Sequence, residues 1–124
     1  MNKKVMWLGV GSVVLATALI TGKGVWSMDD SPVENIEEAV KNAKTKADHD
    51  AIVGYFEQET NELQKRAEQH RRLAAQYQKN PVYGKLRDTM AKHCDTAARS
   101  FDKAAEESSA LAKLHHQLAG KAQP

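Results

Sequence analysis

The chain has 124 residues and only one cysteine, so it cannot form an internal disulfide. That residue, Cys94, is expected to be buried, to pair with another chain, or to serve as a thiol or metal ligand. The sequence also lacks low-complexity tracts and any segment with the pattern of a strand. At this length the chain holds at most one small domain. We therefore expect a single all-α domain.

Basic and aromatic residues form no pattern of the kind that binds nucleic acid. Three of the 18 Lys and Arg residues lie within the first 27 residues, which leaves 15 against 16 Asp and Glu in the remainder. That remainder is nearly neutral, its charges are interspersed, and it has no stacking platform of aromatic side chains. We expect no nucleic-acid partner.

The N-terminal 27 residues have the form of an export signal. A basic start at Lys3 and Lys4 precedes an uncharged, largely apolar run at 5–22, and a more polar sequence follows. Cleavage after Ser27 would release residues 28–124 as a soluble domain. The run is also about as long as the shortest bilayer-spanning helix, so the alternative prediction is an uncleaved transmembrane anchor in the inner membrane. Either alternative predicts an extracytoplasmic, periplasmic location, with membrane contact only through the apolar run if it is retained.

Capping and turn residues divide the remainder into helices. Ser31 and Pro32 are typical of a helix start, and Asp48 is expected to cap a second helix after a break in the chain's apolar stripe. Pro81 and Gly84 end that helix and turn the chain. We predict helices at about 32–46, 49–79 and 85–119.

Two seven-residue ladders flank that turn and indicate a left-handed, coiled-coil-like helix pair. One ladder consists of His49, Phe56, Leu63, His70 and Tyr77 with Val53, Thr60, Ala67 and Ala74. The other consists of Cys94, Phe101, Ser108 and His115 with Met90, Ala97, Ala104, Leu111 and Leu118. Folding the chain back at the turn predicts an antiparallel helical hairpin in one register. Its facing pairs are His49/His115, Val53/Leu111, Phe56/Ser108, Thr60/Ala104, Leu63/Phe101, Ala67/Ala97, His70/Cys94 and Ala74/Met90.

The predicted hairpin has a thin core, because alanine fills many seam positions and small domains bury proportionately less surface. Five residues beside the seam are placed to cover a further helix or a second copy of the chain: Ile52, Tyr55, Ala98, Ala105 and Leu114. Two arrangements stay open: the short first helix completes a three-helix bundle, or two hairpins form a dimeric four-helix bundle. The candidate partners are accordingly a second copy of the chain or another protein of the cell envelope.

Seven side chains of the predicted hairpin are candidate metal ligands. They are His70, Cys94, His93 and Met90 near the turn, and His49, His115 and His116 at the other end. Imidazole with thiolate suits zinc, and imidazole with thiolate and thioether suits copper(I). The alternative is that these residues are packed in the seam, with the facing histidines responding to pH, and bind no metal. Two further alternatives for Cys94 are a redox-active thiol and a disulfide cross-link between two chains.

No set of residues indicates catalysis. The run from His93 to Asp95 holds an imidazole, a thiol and a carboxylate, but nothing supplies an oxyanion hole or a substrate pocket. A narrow Ala-rich seam leaves no room for one. We expect a non-enzymatic protein that either binds copper or zinc or serves as a structural and interaction module.

Several short motifs between residues 48 and 119 occur together. They are Asp48-His49, Tyr55-Phe56, Ala67-Glu68-Gln69-His70-Arg71-Arg72-Leu73-Ala74, Met90-Ala91-Lys92-His93-Cys94, Ala104-Ala105-Glu106 and Leu114-His115. These motifs resemble a group of small, exported, all-helical bacterial envelope proteins, which implies an envelope location and a helical hairpin, and no reaction. A looser likeness to small periplasmic metal-binding helical bundles rests on histidines along Ala-rich helices. This chain has far fewer histidines than that pattern, so the likeness implies one or two ions at most.

Overall fold

Helices make up almost all of the chain that the structure describes. The computed structural model describes residues 33–124, and helices account for 89% of them. They are α1 (Ile36–Asn42), α2 (Lys46–Lys79) and α3 (Arg87–Lys121), with a 3₁₀ helix (Pro81–Leu86) between α2 and α3. No strand occurs within this part of the chain. The predicted all-α class is confirmed, and the two long helices pack against each other.

Helix α2 begins at Lys46, earlier than the predicted position 49. Its N-cap is Thr45, whose side-chain oxygen accepts a hydrogen bond from the Asp48 backbone N–H at 3.2 Å. The Asp48 carboxylate in turn accepts from the Thr45 backbone N–H at 2.8 Å, which completes a capping box. The predicted cap at Asp48 is therefore wrong, because Asp48 lies within the first turn and Thr45 is the cap.

Helix α1 is shorter than predicted and begins at Ile36. Asn35 is its N-cap, and the side-chain oxygen of Asn35 accepts from the Glu38 backbone N–H at 3.1 Å. A side-chain cap at this position fixes the start of the helix there. The predicted start signals Ser31 and Pro32 lie outside the described residues, as does the predicted signal or anchor segment. Within the described range, no helix is long and apolar enough to cross a membrane.

The turn between α2 and α3 is made by the predicted residues Pro81 and Gly84. Pro81 takes the first position of the 3₁₀ helix, and the Asn80 side-chain oxygen accepts from the Val82 backbone N–H at 3.1 Å. Gly84 has a φ of 51°, a left-handed conformation that glycine adopts without a Cβ clash. Because the 3₁₀ helix extends through the position predicted for the start of α3, that helix begins at Arg87.

Contacts at both ends show that α2 and α3 run antiparallel. At one end the Lys46 backbone N–H donates to the Gln123 carbonyl oxygen at 3.1 Å. Nearer the other end, which the 3₁₀ helix connects, Arg71 of α2 forms an ion pair with Asp102 of α3. We call the first the open end, because no connection joins the helices there, and the second the turn end.

The seam between α2 and α3 contains one row of residues that the sequence analysis did not predict. On α2 the predicted seam residues Ala67 and Ala74 are buried, and on α3 the predicted seam residue Ser108 is buried. The second row of α3 consists of alanines at every seventh position, each at most 5% exposed: Ala91, Ala98, Ala105, Ala112 and Ala119. The predicted position of Ala98 and Ala105 beside the seam is therefore wrong, and the seam of α3 is narrower than expected.

The predicted second row of α3, which is Met90, Ala97, Ala104, Leu111 and Leu118, is wrong as a seam row. Each of its members precedes one of the buried alanines, and Leu111 and Leu118 are 41% and 46% exposed. Both rows fit the spacing of a seam, but alanines let two helix backbones approach more closely than leucines do. Close approach leaves the larger side chains beside the seam. We call these five residues the lateral row.

The contacts between α2 and α3 confirm one predicted facing pair and displace another. His49 contacts His115 as predicted. His70, however, stacks on Phe101, which lies one heptad from the predicted partner Cys94. Use of the alanine row rotates α3 about its axis and changes which side chains lie opposite each other along the seam. The helix pair is thus antiparallel as predicted, in a register displaced from the predicted one.

Candidate functional site

Two histidines meet at the open end of the helix pair. His49 lies in the first turn of α2 and His115 near the end of α3, and the Nδ1 atoms of the two rings are 3.1 Å apart. The ring centroids are 5.3 Å apart, and the ring planes differ by 38°. At this separation the two nitrogens share one hydrogen bond, in which one ring donates and the other accepts. The pair joins the first turn of one helix to the last turns of the other.

Neighbouring residues hold the histidine pair in place. Phe56, two turns further along α2, stacks on His115 with ring centroids 6.1 Å apart. The capping box begins at Thr45, and the backbone hydrogen bond from Lys46 to Gln123 crosses between the helices at the same end. The pair therefore belongs to a short cluster of contacts that holds α2 and α3 together at the open end.

Burial favours the neutral form of the His115 ring. It lowers the pKa of His115 below its usual value of 6.5, and the nearby charge of His49 lowers it further. His115 is thus the ring suited to accept the hydrogen bond. Hydrogen bonds from the backbone N–H groups of Lys44 and Thr45 lower the pKa of the Asp48 carboxyl, and the charge of His49 adds a smaller contribution. A carboxylate consequently stays ionised close to His49.

The number of protons on the pair decides whether it can hold the helices together. When both rings are neutral, one Nδ1–H donates to the other Nδ1. When one ring is charged, it donates to the neutral ring. When both are charged, both Nδ1 atoms carry a hydrogen, so the bond is lost and two positive charges repel each other. In the first two states the pair holds α2 and α3 together at the open end, and in the third state charge repulsion separates the two rings.

The residues predicted to form a layer nearer the turn have different surroundings. The His70 ring stacks on Phe101 with centroids 5.4 Å apart, and its buried Nδ1 atom has no hydrogen-bond partner. Cys94 is a half-buried free thiol, and His93 is exposed. Within residues 33–124, no three or more His, Cys, Asp or Glu side chains are grouped so as to hold a metal ion. Of the predicted ligands, the structure shows a direct contact between His49 and His115.

His116 and Met90, the remaining predicted ligands, lie on other surfaces. His116 is exposed and lines an open groove with Glu57, Asn61 and Lys113. Met90 belongs to the lateral row and is half-buried. Neither position is in the seam, so the predicted ligands are distributed over several faces of the helix pair.

Three polar contacts between α2 and α3 were missed by the sequence analysis. Ser108 donates to the Glu59 carboxylate, Arg71 forms an ion pair with Asp102, and the Arg66 guanidinium lies 5.9 Å from the centroid of the Phe101 ring. Ser108 and Phe101 belong to a predicted seam row, whereas the charged residues Glu59, Arg66, Arg71 and Asp102 lie outside the predicted ladders. The spacing of apolar residues gives no signal for contacts of charged residues beside the seam.

The chain was compared with known protein families, with curated proteins and with solved structures, and none of these comparisons found a match. A function for this chain therefore has to follow from its own residues and their geometry.

Proposed function

We propose that this chain is a non-enzymatic helical interaction module of the extracytoplasmic space, fastened at its open end by the His49–His115 pair and loosened by acid. The observation that carries the proposal is the 3.1 Å separation of the two Nδ1 atoms, which join α2 to α3. A hydrogen bond between imidazoles survives one added proton and fails with two. Histidine is the side chain whose ordinary pKa places this change near neutral pH.

The expected loss of stability lies on the acidic side of neutrality. Burial lowers the pKa of His115 in the folded chain, so between that value and 6.5 the unfolded chain binds more protons than the folded chain. The contribution of His115 to folding stability is therefore fully present above pH 6.5 and decreases as the pH falls through this window. Asp48 acts in a separate window, because its lowered pKa makes its contribution decline only below pH 3.8.

The surface of α3 supports a role in interaction. Leu111, Leu114 and Leu118 are exposed on neighbouring turns near the open end. Large apolar side chains exposed together mark sites where proteins contact one another. In this proposal α2 and α3 form an antiparallel hairpin, and α1 or a second copy of the chain completes a bundle.

The proposed location and the absence of a proposed reaction rest on the sequence. Residues 1–27 have the form of an export signal or anchor, and the motifs between residues 48 and 119 resemble small exported helical proteins. The sequence supplies no oxyanion hole or substrate pocket for Cys94 or the histidines. We therefore assign the chain to the cell envelope and assign it no chemistry.

A second candidate function is the binding of one copper or zinc ion by the same pair. Two nitrogens held at about 2.0–2.1 Å from an ion lie about 3.4 Å apart in tetrahedral geometry and about 2.9 Å apart in square-planar geometry. The observed separation of 3.1 Å lies between these values, and a neutral His115 is in the form that binds metal. Water or a partner's side chain would complete the coordination. For His70, Cys94, His93 and Met90, metal binding stays a prediction from the sequence.

Thermal unfolding of the purified full-length chain between about pH 8 and about pH 5 tests the acid-opened module. The double variant His49→Gln/His115→Gln removes the pair, and the matched control His93→Gln/His116→Gln removes two exposed histidines. We expect the Tm of the wild type and of the control to fall with pH, and that of the double variant to change much less. An equal fall in all three proteins would contradict the proposal.

Addition of zinc or copper(II), followed by a chelator, separates the two candidate functions. A Tm that rises with metal in the wild type and the control, but not in the double variant, supports a metal site at the pair. A Tm that responds to pH and not to metal supports the acid-opened module alone. Metal binding that survives in the double variant would exclude the pair as the site.

A further inference from the structure

The lateral row lies on an apolar face of α3 that α2 covers only in part, because Met90, Ala97 and Ala104 are half-buried and its two leucines are exposed. Leu111 and Leu118 of that row are 41% and 46% exposed, and Leu114 on the adjacent row is 54% exposed. Their spacing of three and four residues is that of a helix face that packs on another helix. The lateral row extends from Met90 to Leu118, a distance of about 42 Å along the helix. The face is therefore long enough to contact another helix of the same length as α3.

The opposite side of the helix pair has a different chemistry. An open groove runs there between α2 and α3, and polar side chains line much of it, including Glu57, Asn61, Lys113 and His116. The lateral row by comparison consists of two leucines, a methionine and two alanines. The two sides of the pair thus differ in polarity, and the apolar one is the side suited to bury surface against a further helix.

We propose that this face binds a second copy of the chain, with the two α3 helices antiparallel about a two-fold axis near Ala104. The first argument is the size of the side chains along the lateral row. Ala104 lies beside Ala104 of the second copy, which lets the two backbones approach each other. Leu111 then lies close to Ala97 of the second copy, and Leu118 close to the flexible Met90 of the second copy. The bulky residues of each copy meet small or adaptable residues of the other.

The second argument is the charge pattern beside the lateral row. Lys103 and Glu107 are exposed, lie one turn apart, and form no ion pair with any other residue in the range 33–124. An antiparallel pairing about Ala104 brings Lys103 of each copy next to Glu107 of the other, so that two ion pairs flank the axis. A parallel pairing in register would instead place the Lys103 and Glu107 residues of the two copies on opposite edges of the interface, where they cannot form ion pairs. The charges therefore favour the antiparallel arrangement.

This inference rests on the proposed function, because it names the partner of the interaction module. The face that it uses does not include His49 or His115, which lie in the seam between α2 and α3. Loss of the histidine pair and loss of the dimer are therefore separate events. An experiment on the lateral row can fail without bearing on the acid-opened pair, and the reverse also holds.

Disulfide cross-linking of the full-length chain in expressing cells tests the proposed dimer. In a Cys94→Ala background, Ala104→Cys places one thiol at the axis, and the control Ser109→Cys places one in the polar groove on the other side. Two cysteines join only when their Cα atoms approach within about 7 Å. After oxidation with copper phenanthroline, we expect the Ala104→Cys chain to be mostly dimeric and the Ser109→Cys chain mostly monomeric. Circular dichroism of both purified variants checks that they are helical.

A second set of variants tests the contribution of the leucines. Leu111→Glu/Leu118→Glu, added to Ala104→Cys, should lower the cross-linked fraction by more than about tenfold, because two apolar contacts are replaced by charges. Val82→Glu adds a charge at a site 76% exposed at the turn end and should leave the fraction unchanged. Equal cross-linking of the two cysteine variants, or a monomeric Ala104→Cys chain, would overturn the proposal. Cross-linking that persists when His49 and His115 are replaced by Gln would support a dimer independent of the pair.

Discussion

The two ends of the helix pair use histidine in different ways. At the open end, His49 and His115 meet through their ring nitrogens, 3.1 Å apart. Toward the turn end, His70 stacks on Phe101 and its buried Nδ1 atom has no hydrogen-bond partner. The turn joins the helices covalently at one end, whereas non-covalent contacts alone join them at the other. A pair of histidines can thus join two helices reversibly at an end where the chain itself does not connect them. A single histidine in the seam near the turn has no second titratable ring with which to do this.

The largest effect is expected from Ile52, whose side chain is fully buried near the open end. Ile52→Ala removes apolar contacts and leaves a cavity, so we expect the free energy of unfolding to fall by about 2–5 kcal/mol. The control Val82→Ala, at a site 76% exposed at the turn end, should change it by less than about 0.5 kcal/mol. Urea unfolding followed by circular dichroism measures both. Equal and small effects would mean that apolar packing does not hold the open end.

The second-largest effect is expected from the buried alanine row of α3, which is packed in the seam at both ends of the helix pair. Ala91 near the turn end and Ala112 near the open end are 1% and 5% exposed. Ala91→Leu and Ala112→Leu each force a larger side chain into the seam, and each should lower the free energy of unfolding by about 1–3 kcal/mol. Ala110→Leu, on the exposed face of α3, serves as the control and should have little effect. A loss at one end only would contradict a continuous alanine row.

A smaller effect is expected from the histidines, and it should depend on pH. His115→Gln removes a hydrogen bond worth about 1 kcal/mol at neutral to basic pH. Because burial lowers the pKa of His115, the wild type loses stability as the pH falls below 6.5, and the difference between the two proteins should shrink there. Urea unfolding of wild type and His115→Gln at several pH values between about pH 8 and about pH 5 measures this difference. A difference that stays constant over this range would contradict the role assigned to His115.

The smallest effect is expected from Asp48→Asn, because Asn keeps one acceptor oxygen for the capping box. Hydrogen bonds from Lys44 and Thr45 lower the pKa of the Asp48 carboxyl. The contribution of the charged form is therefore present above pH 3.8 and is lost as the pH falls through the lowered value. Thermal unfolding curves of wild type and variant should converge there. Convergence near pH 6.5 instead would mean that the cap and the histidine pair titrate together.

Much of the helix pair could be predicted from the sequence, because seven-residue spacing and turn chemistry act locally. The two rows of α2 and one row of α3 follow from this spacing, and Ala67, Ala74 and Ser108 are buried as it requires. The second row of α3 could not be chosen in this way. Apolar content favours Leu111 and Leu118 over their alanine neighbours, whereas the distance between two packed helices depends on both helices together.

The candidate site was predicted in part for the same reason. The contact between His49 and His115 lies at the open end, where the predicted and observed registers both bring the two rings close. Rotation of α3 onto its alanines gave His70 an aromatic neighbour that the sequence analysis had not assigned to it. At the start of α2, Thr45 and Asp48 are both residues that cap helices, and a reciprocal pair of hydrogen bonds decided between them.

The most direct test of the acid-opened pair is a distance measurement at both ends with spin labels. In a Cys94→Ala background, one pair of labels at positions 47 and 117 reports on the open end, and another at positions 76 and 92 reports on the turn end; all four positions are exposed. Between about pH 8 and about pH 5, we predict a longer and broader distance at the open end and an unchanged distance at the turn end. Distances that stay the same at both ends, or that change equally at both, would contradict the role assigned to His49 and His115.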